Sequence, residues 1–212
     1  MPQYSLSDIG QIDRKVRLDT QGQYYGWGWL STSEIAAGLA RLGINGVVCP
    51  MQEGDKLPFD DCNKGLVCIM LKGGHYTMLV KLSSFICFFD ALGFPVTYHF
   101  PMCNAPILSL SEPIQPMRSS NYCGCYCLFV AYMLTKKRLP HTNNGGELKS
   151  SFRSLLQRYM DCSSIATVRK QRNEKITEMF MIDHSIGEEF TDGEMYAHYQ
   201  RYRKDLSPRN IR

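Results

Sequence analysis

Apolar positions along this chain follow two periods, and the switch between them outlines the fold. The stretch Leu30-Ser-Thr-Ser-Glu34-Ile35 predicts a helix start. Ser31 can cap, Glu34 three residues on completes a capping box, and Leu30 can staple to Ile35. The helix should run through IAAGLARLG and stop at Gly43. GVVCPM (46–51) reads as a short strand. After a polar loop come three apolar, β-branched or aromatic runs: GLVCIMLK (65–72), HYTMLVKL (75–82) and FICFFDAL (85–92). PVTYHF (95–100) predicts a fourth strand, and residues 101–118 a proline-containing loop. A helix from about residue 122 should end at Thr135-Lys-Lys-Arg138, with cations in its last turn and Pro140 beyond. NNGG (143–146) marks a turn, and ELKSSFRSLLQRYM places Leu148, Phe152, Leu155, Leu156 and Tyr159 on one helical face. Residues 163–212 are charged and weakly amphipathic, which predicts surface helices with a frayed end.

The pair Ser83-Ser84 separates two strand-like runs. If it centres a hairpin, paired positions sum to 167, so Thr77 faces Asp90 and His75 faces Leu92. His75 and Asp90 then share a face as diagonal neighbours, roughly 7–8 Å apart by Cα. A one-residue slip would send them to opposite faces. The rest of both faces is apolar, with Leu79, Ile86 and Phe88 on one and Met78, Val80, Cys87 and Phe89 on the other. A carboxylate in such a setting needs a partner. Separately, His75 has an ordinary explanation as a core histidine on a carbonyl, and Asp90 as a strand-end cap. Together at this spacing they suggest an imidazole–carboxylate pair.

Composition adds little to the fold and more to the setting. At 212 residues the chain suits one well-buried domain, or a domain plus an appendage. No apolar run is long enough to span a membrane. The N-terminus lacks a basic start followed by an apolar stretch, so the chain is expected not to be secreted. Its nine cysteines are then expected to be free thiols. The net charge of +4 lies in residues 199–212, which hold five Arg/Lys and one Asp. Any attraction to polyanions belongs there, at Arg201, Arg203 and Lys204 interleaved with Tyr199 and Tyr202, unless the run is simply solvated.

QPMRSSNYCGCYCLFVAYML (115–134) crowds Cys123, Cys125 and Cys127 before an apolar helix. Structural zinc uses wider pairs on wrapping turns, and residues i and i+2 of a helix face apart. No metal is therefore expected, and no C-x-x-C redox motif is present. Cys125 and Cys127 read as packing residues. Cys123, after polar Ser119-Ser120-Asn121, sits at a loop-to-helix transition. There the helix dipole favours thiolate, Gly124 leaves room for a substrate carbonyl, and first-turn N–H groups can receive an oxyanion. Gln115 could add a side-chain amide, or be an ordinary loop residue.

The order His75, Asp90, Gln115, Cys123-Gly124, carried by GGHY, FFDALGF and QPMRSSNYCG, resembles the adenovirus-type cysteine protease family. That family includes adenain, maturation proteases of Polinton-like elements and virophages, and more distantly the SUMO-specific proteases. The resemblance spans roughly residues 25–138. In the family the His is usually followed by Trp, here Tyr76; adenoviral members use Glu where Asp90 stands, and the SUMO proteases use Asp. The Gln-to-Cys gap is slightly longer here. The resemblance implies an α+β, papain-like cysteine protease core of the adenain/SUMO-protease type, a central mixed sheet flanked by helices. The protease domain would span 1–162 and a charged helical extension with a basic tail 163–212, packed on the same domain. His75 would be the base, Asp90 its orienting acid, Cys123 the nucleophile and Gln115 an oxyanion donor. The implied activity is cleavage of viral capsid and core precursors during virion maturation, by a monomer acting in the virion or infected cell. The chemistry would need no cofactor, although an activating peptide and DNA are possible partners of such enzymes. Cys103 precedes Gln115 at about the separation where adenain carries the cysteine that bonds its peptide. Alternatives are a protease or isopeptidase for ubiquitin-like modifiers, an acyltransferase using the same three residue types, and a non-enzymatic, nucleic-acid-binding virion protein.

Overall fold

The structure, a computed structural model, describes residues 17–18, 24–25, 30–116, 122–136, 139–163, 167–184 and 186. A short antiparallel pair, β1 (Arg17–Leu18) and β2 (Tyr24–Tyr25), precedes the main sheet. The sheet has five strands in chain order: β3 (Gly46–Pro50), β4 (Val67–Lys72), β5 (His75–Leu82), β6 (Phe85–Phe89) and β7 (Ile107–Ser109). The central three are antiparallel, while β3 and β7 run parallel to their neighbours. Helices α1 (Thr32–Arg41), α2 (Phe59–Asn63), α3 (Val96–His99), α4 (Cys123–Lys136), α5 (Gly145–Gln157) and α6 (Thr167–Asp183) complete an α+β fold with a mixed sheet.

The hairpins set the register. Gly73 and Gly74 both have positive φ (57° and 79°), which a two-residue hairpin turn with matching twist requires. They make His75 the first residue of β5, opposite Lys72. At the other end Ser83 takes φ 56°, and Met78 pairs with Phe89 and Val80 with Cys87. Every such pair sums to 167, as the Ser83-Ser84 centre predicts. The ladder ends at Met78–Phe89, and the chain turns away at Asp90.

Alternation along the strands gives the sheet two apolar faces. Cys68, Met70, Leu79 and Phe88 pack with Leu57, Cys62, Val96 and Phe100 under α2 and α3. Ile69, Met78, Val80, Cys87 and Phe89 face the larger core built by α1, α4, α5 and α6. Helix α4 lies at its centre. Its residues from Cys123 to Ala131 are all buried, so it is apolar on every side, the pattern of an enclosed helix. Helix α1 begins with the expected capping box of Ser31 and Glu34. Gly38 lets it approach α4, since a Cβ there would lie 2.9 Å from Leu128 Cδ1. The expected face of α5 is buried through Leu148, Phe152, Leu155 and Leu156.

Three expectations are corrected. PVTYHF is not a strand: Val96–His99 is a helical turn after Pro95, whose fixed φ favours a helix entry. The second edge of β6 is instead taken by β7, inside the stretch expected to be loop. Finally, α6 is not a surface helix. Ile176, Met179, Phe180 and Met181 join the main core, and Asn173, Glu174, Thr177 and Glu178 are buried with them. The first part of the 163–212 segment is thus integral to the domain.

Candidate active site

Three segments converge at one end of the sheet: the start of β5, the turn after β6, and the first turn of α4. His75 Nε2 lies 2.8 Å from Asp90 Oδ1, and the Cys123 side chain lies near enough to the His75 ring to act on its protonation. The three residues named from their order and spacing therefore meet. Residue 90 reaches His75 although β6 has left the ladder, because its carboxylate organises the turn itself. Oδ1 also accepts from Leu92 N–H at 2.9 Å, and Oδ2 accepts from Phe94 N–H at 3.2 Å. This is the local side-chain-to-backbone bonding that Asp favours in turns. Ser111 Oγ accepts from the Asp90 N–H at 3.1 Å.

A further residue, not anticipated from the sequence, completes this cluster. His99, the last residue of α3, places Nε2 2.9 Å from Asp90 Oδ2. Its ring stacks on that of His75 with centroids 5.5 Å apart and 15° between planes. The signal was hidden by reading 95–100 as a strand, which would carry His99 away from Asp90. Once Gly93 and Pro95 turn the chain into a helix, a histidine nine residues after the aspartate comes back beside it.

The carboxylate is fully buried and the two rings nearly so, with side-chain exposures of 18% and 12% for His75 and His99. Burial alone would lower the His75 pKa. The hydrogen bond to Asp90, the interaction with Cys123 and the negative charge of both outweigh it, raising it to about 9. Burial would likewise raise Asp90, but the bonds from His75 and His99, the positive charge of His75 and the Leu92 amide bring it down to about 2. At neutral pH an imidazolium thus faces a carboxylate across 2.8 Å.

Among the described residues, the donor atoms of His75, Asp90 and His99 form a group within 4.8 Å that could hold a cation. Both nitrogens, however, already aim at separate carboxylate oxygens, and two backbone N–H groups supply the other bonds. The carboxylate charge is compensated by proton donors, and a metal would have to displace ring protons to enter.

Cys123 is buried in the first turn of α4, and Cys125 and Cys127 are fully buried packing residues. Burial, the largest cause, pushes the Cys127 thiol well up. All nine cysteines are free thiols, and Cys103 is half-buried against the smaller core. Gly124 also has a packing use. A Cβ there would meet Ile35 Cδ1 at 2.8 Å and the Tyr76 ring at 3.2 Å, so this glycine seats α4 against α1 and β5. Tyr76, where the resembling family has Trp, donates its hydroxyl proton to Leu30 O at 3.0 Å.

Gln115 is buried, and its backbone N–H donates to Ala91 O at 2.9 Å, beside the same bond from Ile114. It is thereby fixed next to the Asp90 turn. Helix α6 braces both sides of this region. Asn173 Nδ2 donates to Ile114 O at 2.9 Å and to Asp161 O at 2.8 Å. Tyr122, just before the thiol, donates to Glu178. Residues 117–121, between Gln115 and α4, lie outside the described residues, as do Tyr199, Arg201, Tyr202, Arg203 and Lys204 of the basic tail. No described helix is long and apolar enough to cross a membrane.

Compared with family models and with curated proteins, the chain matches none.

Proposed function

We propose that this chain is a cysteine endopeptidase of the adenovirus-protease type, with a papain-like core, that processes capsid and core precursors during virion maturation. The observation that carries the reading is the meeting of Cys123, His75 and Asp90, residues from three separate segments, around one imidazole. With Nε2–H committed to Asp90, Nδ1 is the ring nitrogen left for the thiol. The Cys123 proton rests there in the imidazolium, so the sulfur attacks the scissile carbonyl carbon as a thiolate. The proton then goes to the departing amine as the C–N bond breaks, giving a thioester. A water molecule, deprotonated by the same nitrogen, attacks that carbonyl; the C–S bond breaks and the thiol regains its proton. Asp90 holds the ring and balances the imidazolium. Backbone N–H groups of the first turn of α4, with the Gln115 amide, are the proposed donors to the oxyanion.

An aspartate in place of the adenoviral glutamate favours a second reading, a protease acting on ubiquitin-like modifiers. Peptides spanning capsid-precursor junctions, assayed beside modifier–fluorophore conjugates, separate the two. The first reading expects cleavage of the precursor peptides and its loss in Cys123→Ala, whereas cleavage of conjugates alone supports the second. Wild-type levels of hydrolysis in Cys123→Ala would eliminate both.

A further inference from the structure

Asp90 is shared between two imidazoles, and only one of them reaches the thiol. The other, His99, comes from a separate element. Helix α3 is held in place by Val96 and Phe100 in the smaller core and by Lys72, whose Nζ donates to His99 O at 2.8 Å. Phe88, Phe94 and Tyr98 pack around the His99 ring. The ring therefore has one orientation, with Nε2 on Asp90 Oδ2 at 2.9 Å.

A carboxylate can rotate about its Cβ–Cγ bond. Held only through Oδ1, it could swing and give His75 a poorer angle. Here the donors divide evenly, His75 and the Leu92 amide on Oδ1, His99 and the Phe94 amide on Oδ2. Removing His99 would strip one oxygen of its strongest donor inside a buried site, where a lost bond to a charged group is expensive. Building on the assignment of Cys123 as nucleophile, we propose that His99 is a positioning residue: its Nε2–H locks the Asp90 carboxylate so that Oδ1 holds the His75 ring with Nδ1 toward the thiol. The arrangement is a Cys–His–Asp–His relay in which the second histidine never touches substrate.

The test reads the thiol directly, so it does not depend on knowing a substrate. The rate of Cys123 alkylation by iodoacetamide is followed against pH in wild type, His99→Leu and His99→Gln. Glutamine can place an amide N–H near the Nε2 position; leucine cannot. The charged and titratable groups facing the site, His75, Asp90, Lys72 and Tyr98, are the same in all three. His99→Leu should slow alkylation near neutral pH by about ten- to a hundredfold, with its midpoint moved to higher pH, the scale of one lost hydrogen bond to a charged group. His99→Gln should recover most of the rate. A folded His99→Leu with wild-type rate and midpoint would overturn the proposal, as would a glutamine variant no better than leucine. Should His99→Leu not fold, histidine ring spectra of the wild type decide: both rings must carry an Nε2–H bonded to carboxylate, and a His99 Nε2 without a proton rejects the relay. If alkylation behaves as expected but no peptide is cut, the relay stands and the peptidase reading fails.

Discussion

Asp90 is the residue on which the site turns, because it is both a turn-former and an ion partner. Its role in stability has a defined pH signature. Its folded pKa of about 2 lies below the ordinary 3.8, so its contribution is present above 3.8 and lost as pH falls through about 2. The His75 pKa of about 9 lies above the ordinary 6.5, so its contribution is complete below 6.5 and lost as pH rises through about 9. Denaturant titrations should therefore show stability declining between those last two values by a few kcal/mol, at about 1.4 kcal/mol per pK unit. In Asp90→Asn that decline should be much shallower. The same variant should lower turnover about 10²–10⁴-fold, by analogy with aspartates that orient a catalytic histidine. A full alkaline decline in Asp90→Asn would show that the carboxylate is not what holds the proton on His75.

At the scale of elements, the two features that braced the site least visibly in the sequence are α3 and α6. The His75–Asp90 pair was legible because a hairpin centred on Ser83-Ser84 leaves one register, and the apolar faces of β5 and β6 enforce it. The position of Cys123 at a helix start was legible because polar Ser119-Ser120-Asn121 give way there to an apolar run. His99 was not, since Val, Thr, Tyr and Phe around it favour strands, while Gly93 and Pro95 turn the chain into a helix instead. Strand β7 escaped because three residues between prolines carry too little pattern. Helix α6 looked polar since its buried groups include Asn173, Glu174 and Glu178, which are satisfied through tertiary contacts that no local period records. Asn173 makes the consequence testable. Besides its two donated bonds, its Oδ1 accepts from Asp161 N–H at 2.9 Å. Asn173→Ala should cost roughly 2–4 kcal/mol in urea unfolding, because it leaves buried carbonyls and an amide unpaired. It should also reduce turnover, through the Ile114–Gln115 segment that it holds. Unchanged stability would mean that the clamp is dispensable.

For the whole molecule, the extension divides into two parts with different physics. Ile176, Met179, Phe180 and Met181 are core residues, and at about 1.5–3 kcal/mol for each buried apolar side chain their sum rivals the entire stability of a typical domain. A chain ending at residue 162 should therefore fail to fold, whereas one ending at 186 should give a cooperative unfolding transition. The basic run at 199–212 holds the whole net charge of +4. Its deletion should weaken binding to DNA and flatten the salt dependence, leaving peptide cleavage in place. Loss of cleavage without nucleic acid would assign the tail a structural part.

The central claim is that Cys123 is singled out by chemistry rather than by access, and competitive alkylation tests it most directly. Cys49 and Cys103 are more exposed than Cys123, so exposure alone would favour them. Limiting iodoacetamide near pH 6, followed by mapping of all nine sites, should mark Cys123 first and by a wide margin, with the preference gone in His75→Ala. Labelling led by Cys49 or Cys103, or spread evenly, would contradict a thiol activated by His75 and Asp90.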